Sequence, residues 1–531
     1  MDIKRAKQEI KDSIETYLAK DEFGAYRIPP IRQRPILLMG PPGIGKTQIM
    51  EQIARECRIG LVSYTITHHT RQSAVGLPFI REKQYGGRTY SVTEYTMSEI
   101  IASVYDKIEQ TGIKEGILFI DEINCVSETL APAMLQFLQG KTFGNQKVPE
   151  GWIIAAAGNP PEYNKSVRDF DVVTLDRLKK IDVEENFDVW KEYAYRQEIH
   201  PAVISYLELR KQNFYRVETT VDGKKFATAR GWEDLSQFIK VYETLGKKAD
   251  REVVYQYIQH EKIAKDFANY LELYYKYRAD YGVEEILRGR WNRAVLQKIK
   301  AAAFDEHLSI ISLLNGKLGE LFIDCYLCDA YVEKLHRYLT YYKENLRTKG
   351  IEDARRLAEK DFADLEQKEL LDRQDELVMK RVIAALERFA SGVKGRVFQE
   401  DAAAAGVQGG ESQRDALIAG VQSGESHEDA VFEAVRAMFR KEVDIREAAI
   451  EHTSETLTHV FDFMEEAFGD SQEMVALMTE LNANYYSIWF IRENSCDQYY
   501  RHNKGLLFQE RRQSILREMD EVEGLLNTGL K

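Results

Sequence analysis

The chain has 531 residues, a formal net charge of −13 and 30% charged side chains. That length exceeds what one core supports, so about two to four domains of roughly 100–200 residues each are expected. The acidic balance argues against a general nucleic-acid coat, and the five scattered cysteines (Cys57, Cys125, Cys325, Cys328 and Cys496) argue against a disulfide framework and for a reduced, cytoplasmic protein. No signal peptide opens the sequence and no apolar run approaches the roughly 18 residues of a membrane span, so no membrane association is expected.

In chain order, Ile3, Ile10, Ile14 and Leu18 recur at helical spacing among charges and predict an amphipathic helix over 3–20. Tyr26 to Pro35, with Pro29, Pro30 and Pro35, reads as an extended approach to the first strand. Pro35 to Met39 reads as that strand, buried, and Gly40 to Thr47, GPPGIGKT, fits the phosphate-loop pattern G-x-x-x-x-G-K-[ST] in full, with a helix from Thr47 to Glu56 behind it. The glycines let successive backbone N–H groups turn toward phosphate oxygens, and the helix adds the positive end of its dipole. A strand-to-helix turn without a ligand is the bland alternative, and the Lys and Thr in place weigh against it. Gly40, Pro41, Pro42, Gly43, Ile44, Gly45, Lys46, Thr47 and Gln48 are therefore expected to hold ATP. Lys46 would reach the β- and γ-phosphates, and the Thr47 hydroxyl would hold Mg²⁺.

Gly60 to Ile66 reads as a second strand running into His68-His69-Thr70-Arg71-Gln72-Ser73. The paired histidines point apart and have no carboxylate or cysteine at ligand spacing, so loop or partner contact is favoured over metal. Leu77 to Tyr95 alternates around Tyr85-Gly86-Gly87-Arg88, a hairpin signal inserted in an α/β pattern. Gly116 to Glu122 is the second strong motif, a buried strand with two carboxylates at its C-terminal end, where open parallel sheets place their ligands. Asp121 would hold Mg²⁺ through water, and Glu122 would polarise the attacking water. Trp152 to Ala157 is a further strand, ending in Gly158-Asn159-Pro160-Pro161. Asn159 would sit between the other two motifs and bond the attacking water or the γ-phosphate, although an Asn before Pro is also an ordinary turn residue.

Thr174-Leu175-Asp176-Arg177-Leu178 and Ala229-Arg230-Gly231-Trp232-Glu233 follow. Together with Ile120-Asp121-Glu122-Ile123-Asn124 and Gly158-Asn159-Pro160 they stand in the order and spacing of AAA+ ATPases, and the chain resembles the MoxR-type branch over roughly residues 30–245. The resemblance implies an α/β phosphate-loop core with a parallel sheet and inserted hairpin, a helical lid and a C-terminal all-α region. It further implies that Asn159 senses the γ-phosphate, that Arg177 is a finger entering a neighbouring subunit's site, and that Arg230 is a second sensor on ATP bound by its own subunit. Arg168 is a second candidate finger. The family usually forms a hexameric ring and acts as a chaperone-like remodeller, often beside a protein with a von Willebrand factor A domain. Taken without the family, the arginines read as surface ion pairs worth about 0–1 kcal/mol each.

The expected organisation is a core over 1–185, a lid over 186–282, a helical region over 283–396, a linker over 397–430 and a C-terminal helical region over 431–531. Tyr270, Tyr274, Tyr277 and Tyr281 form a helical stripe among acids, favouring core or interface over base stacking, and Cys325-x-x-Cys328 reads as a buried helix face. Glu352 to Arg381 reads as one long solvated helix. AGVQGGESQRDA at 405–416 recurs as AGVQSGESHEDA at 419–430, too few copies for a solenoid. The functional expectation is an ATP-hydrolysing remodeller of a protein client. Alternatives are an ATP-dependent scaffold with little turnover, or a nucleic-acid motor of the same fold, disfavoured by the charge.

Overall fold

The structure is a computed structural model that describes residues 1–68, 71–144, 146–163, 167, 170–220, 223–345, 350–404 and 427–504. His69, Thr70, Ser166, Arg168, Asp169 and the repeat as far as residue 426 lie outside the described residues. The chain forms two compact units, one of Met1–Trp190, Phe214–Asp234 and Lys360–Glu376, the other of Lys191–Asn213, Leu235–Glu359 and Leu377–Lys531.

The first unit is built on strands β1 (Ile36–Met39), β2 (Gly60–Thr65), the hairpin β3 (Pro78–Tyr85) and β4 (Arg88–Tyr95), β5 (Gly116–Asp121), the short pair β6 (Thr142–Phe143) and β7 (Gln146–Lys147), β8 (Trp152–Gly158) and β9 (Lys179–Asp182). Five of them form a parallel sheet in the order β2-β5-β8-β1-β9. Side chains alternate along each strand, so the sheet carries a core on both faces. Leu37, Leu118, Ile120, Ile154 and Ala156 lie in one core with Ile101, Val104, Met134 and Phe137. Ile36, Leu38, Ile117, Phe119 and Ile153 lie in the other with Ile10, Ile14, Ile49 and Ile53. The second core shows why the amphipathic N-terminal segment, helical over Ile3–Leu18 and capped by the Asp2 carboxylate, turns Ile10 and Ile14 inward. The phosphate-loop helix, Lys46–Cys57, packs in that same layer.

Three sequence expectations need correction. Tyr26–Pro35 is not wholly extended, because Pro30–Arg32 makes one 3-10 turn. Residues 186–280 are not all helical, because Phe214–Asp234 contains an antiparallel pair, β10 (Arg216–Thr220) and β11 (Gly223–Ala227). Glu352–Arg381 is not one helix: Ile351–Gln367 ends, Glu369 takes a left-handed φ of 55°, and Arg373–Ala404 starts anew. Around that break, Gln367 donates to the Gln110 carbonyl at 2.6 Å, and Lys107 pairs with Glu369 at 2.6 Å. Tertiary bonding within the first unit thus outweighs the helical propensity of the segment.

The second unit is mostly helical, with long helices at Phe304–Glu344 and His427–Phe468. Cys325 and Cys328 are buried on the first of these, and the Cys325 thiol lies 3.1 Å from Thr453 Oγ1 on the second. Tyr270, Tyr274 and Tyr281 are buried, with Tyr270 donating to Ser205 Oγ and Tyr281 to Glu306, so the stripe is core. Among the described residues no helix is long and apolar enough to cross a membrane.

Candidate functional site

The site begins where β1 ends. Gly40 has no room for a side chain, since a Cβ there would lie 2.6 Å from the Val183 carbonyl oxygen. Gly43 and Gly45 sit at φ of 76° and 91°, a left-handed backbone that disfavours residues with a side chain, and Gly45 caps the helix Lys46–Cys57. The loop therefore curls over the N-terminus of that helix, where unpaired backbone N–H groups favour an anion.

Lys46 is buried, and its ammonium donates to the carbonyls of Gly40 (2.7 Å) and Pro41 (2.8 Å) and to Asn159 Oδ1 (2.8 Å). Burial is the main force on its pKa, lowering it to about 8. The Asp121 charge opposes the shift, Arg230 adds to it, and Glu122 opposes it again. Lys46 is therefore a cation short of negative charge, which a triphosphate would supply.

Thr47 Oγ1 donates to Asp121 Oδ2 at 2.8 Å, linking the loop to the end of β5. Asp121 also accepts the Glu122 N–H at 2.9 Å, and Glu122 takes a left-handed φ of 55° that turns the chain out of the strand. A hydroxyl beside a carboxylate is a hard-oxygen pair of the kind that takes Mg²⁺ with water and phosphate oxygens completing the shell. Bound there, Mg²⁺ would neutralise charge developing on the phosphates. The Glu122 carboxylate is half-buried and close enough for its charge to act on the Lys46 ammonium.

Asn159 follows the end of β8, and its place depends on a residue to which sequence reasoning gave no role. Asn124, 2% exposed, donates from Nδ2 to the Asn159 carbonyl at 2.8 Å and accepts the Asn159 N–H through Oδ1 at 3.2 Å. Tyr215 is a second such residue, its hydroxyl donating to the Pro42 carbonyl at 3.0 Å. The signal for the β10–β11 hairpin was present in Asp222-Gly223 between alternating residues, a turn pair that a helical reading passes over.

Arg230 stands in the first turn of the helix Ala229–Thr244, and its backbone N–H donates to the Gly43 carbonyl at 3.3 Å. Trp232, fully buried, fixes that turn by donating to the Phe214 carbonyl at 3.1 Å. The guanidinium thus stands close enough to weigh on the Lys46 charge. Arg177, by contrast, is exposed after the short helix Val172–Leu175 and bonds Gln139 Oε1, not the loop. Gln48 is also exposed, in the first turn of the loop's helix. The structure gathers Lys46, Thr47, Asp121, Glu122, Asn159 and Arg230 around one loop and leaves Arg177 outside.

A parallel sheet with a phosphate loop at the C-terminal end of one strand, an acidic pair at the end of the next-but-one and an Asn between them defines a phosphate-loop nucleotide-binding domain. Residues 36–176 match the family model described as ATPase family associated with various cellular activities (AAA), which supports an ATPase of the AAA+ type. A comparison with curated proteins found no match. The matched residues lie in the domain with the parallel central sheet and phosphate loop, and a mostly helical C-terminal region follows it.

Proposed function

We propose that this chain is an ATP-hydrolysing, ring-forming remodeller of protein partners, of the MoxR-type branch and acting in the cytoplasm. The observation that carries the reading is the pair of bonds Lys46–Asn159 and Thr47–Asp121, which converge three separate strand ends on one loop. Phosphoryl transfer needs little more than this: charge on the phosphates, a placed cation and a positioned water. Lys46 and the loop N–H groups take the phosphates, Thr47 and Asp121 the Mg²⁺, Glu122 the attacking water, and Asn159 and Arg230 the γ-phosphate.

Two further features support remodelling in a ring. Arg177 is exposed and turned away from its own loop, as a finger for a neighbour's site must be. The β3–β4 hairpin leaves Phe79, Tyr85 and Tyr90 exposed on one face and Ile80 exposed on the other, apolar groups suited to gripping another chain. A hexameric ring and a von Willebrand factor A partner fit the same reading. The test is to trap Glu122→Gln protein with Mg·ATP, identify what co-purifies, and add it to wild-type protein. Turnover that rises with a folded protein and not with DNA supports the proposal; turnover that responds only to nucleic acid overturns it.

A further inference from the structure

β5 and β8 pair in register from Gly116↔Trp152 to Ile120↔Ala156 and then part. Beyond that point the backbone N–H and C=O of Asn159 lack a strand partner. The Asn124 carboxamide meets both, with an acceptor at 3.2 Å and a donor at 2.8 Å, and so serves as a side-chain rung that prolongs the ladder. In their ordinary ionisation states only the Asn and Gln side chains offer a donor and an acceptor side by side in this way.

The surroundings are shaped to this contact. A Cβ at Gly158 would lie 2.7 Å from Asn124 Oδ1 and 2.9 Å from Met39 Sδ, so glycine is required for the amide to approach. Asn124 itself stands in the 3-10 turn Ile123–Cys125, closed by the Cys125 N–H to the Glu122 carbonyl at 2.8 Å. The left-handed Glu122 is what turns the chain from β5 into that turn. One short segment therefore carries Asp121, Glu122 and the clamp on Asn159. With both backbone groups of Asn159 held, its side-chain direction is set, and its Oδ1 meets the Lys46 ammonium at 2.8 Å.

We infer that Asn124 is a positioning residue: it fixes Asn159 against Lys46 and makes the placement of the γ-phosphate sensor depend on the acidic turn that carries Glu122. The role rests on the proposed ATPase reading, but part of its test does not.

The test is a double-mutant cycle of Asn124→Ala and Asn159→Ala, with two readouts. In nucleotide-free protein, labelling of Lys46 by an amine-directed acylating reagent is followed by mass spectrometry. Lys46 should label faster in either single variant and no faster in the double. ATP turnover should fall about 100-fold in Asn124→Ala, the scale of a displacement near 1 Å, with no further fall when Asn159→Ala is added. Asn124→Asp keeps the acceptor but sets a carboxylate oxygen against the Asn159 carbonyl, so it should shift both readouts the same way and at least as far as Asn124→Ala. Additive effects, or wild-type Lys46 labelling in Asn124→Ala or in Asn159→Ala, overturn the inference. Loss of the fold in both Asn124 variants, read by circular dichroism, makes the residue a structural strut and overturns it as well. A wild-type chain without turnover would sink the ATPase reading alone, because the labelling needs neither nucleotide nor catalysis.

Discussion

Lys46 and Asn159 are 113 residues apart in the chain, yet the lysine ammonium donates to the asparagine Oδ1 across 2.8 Å. The bond joins the loop after β1 to the end of the neighbouring strand β8, and their pairing, Met39↔Gly158, is what brings it about. Lys46 donates to two loop carbonyls and to this amide. A phosphate bound as proposed would have to draw the ammonium from these neutral acceptors, which its negative charge equips it to do.

The division of labour between Lys46 and Glu122 is testable by substitution. Lys46→Ala should weaken ATP binding itself, whereas Glu122→Gln should keep Mg·ATP bound while turnover falls by about 10²–10⁴-fold, the worth of a positioned general base. Binding of a fluorescent ATP analogue and phosphate release separate the two. Wild-type turnover in Glu122→Gln would remove that residue from the mechanism.

The depressed Lys46 pKa predicts a pH dependence with a definite sign. In the folded chain Lys46 loses its proton near pH 8, against 10.5 for an ordinary lysine, so between these values the unfolded chain binds more protons. The buried charge is a cost in full below about pH 8, and stability rises as pH climbs through that value. Lys141, whose burial likewise lowers its pKa to about 8, adds to the same trend. Lys46→Met should therefore flatten, without abolishing, the rise in nucleotide-free stability above pH 8. ATP affinity should move the other way, falling as pH rises past 8, and calorimetry in buffers of different ionisation heat should detect proton uptake on binding. No uptake at pH 9 would refute the assignment.

Arg177 makes its prediction between chains. Arg177→Ala and Glu122→Gln proteins, each inactive alone, should regain hydrolysis when mixed, since intact Glu122 of one subunit then meets intact Arg177 of its neighbour. A trans arginine is worth about 10³–10⁵ in rate, so the recovery should be readily measured. If only Arg168→Ala behaves in this way, the finger is Arg168.

Tyr215→Phe deletes one hydroxyl and keeps the ring. Losing its bond to the Pro42 carbonyl should cost about 1 kcal/mol, seen as a lower unfolding midpoint in denaturant, with ATP affinity reduced less than tenfold. An unchanged midpoint and affinity would show that the loop does not lean on this residue.

The C-terminal helices are expected to resist truncation poorly. The helix His427–Phe468 buries Leu457, Val460, Phe461, Phe463 and Met464 in the second unit, so it is part of a core and not an appended module. A chain cut after residue 400 should expose that core and aggregate, which light scattering would report. Phe461→Ala should cost about 3–5 kcal/mol, measured by denaturant unfolding. A soluble, cooperatively folded truncation would show that the core is complete without this helix.

Local chemistry made half of the site readable in advance. The phosphate loop needs Gly40, Gly43 and Gly45 for its backbone and Lys46 and Thr47 for its ligands, all within one short stretch, so the residues alone disclose it. The acidic pair is less plain by itself, because apolar strands ending in acids are common, and it becomes legible because Asp121 and Glu122 stand about 75 residues after a phosphate loop. The two-sided burial of the sheet was likewise visible in continuous apolar runs such as Ile117 to Ile120. What the residues alone left open was which partners meet across distance. Asn124 looks like an ordinary residue after an acidic motif, and becomes a clamp only because β5 and β8 part beside it. Tyr215 reaches the loop only through a hairpin that a helical reading passes over. β9, with Lys179, Lys180 and Asp182, is too charged to be read as a strand and becomes one because β1 offers it an open edge. The break at Glu369 is decided in the same way, by Lys107 and Gln110 far back in the chain. Backbone geometry and ligand chemistry are short-range and therefore written in sequence; the pairing of strand ends and the bonds between distant segments are set by packing, which only the tertiary structure decides.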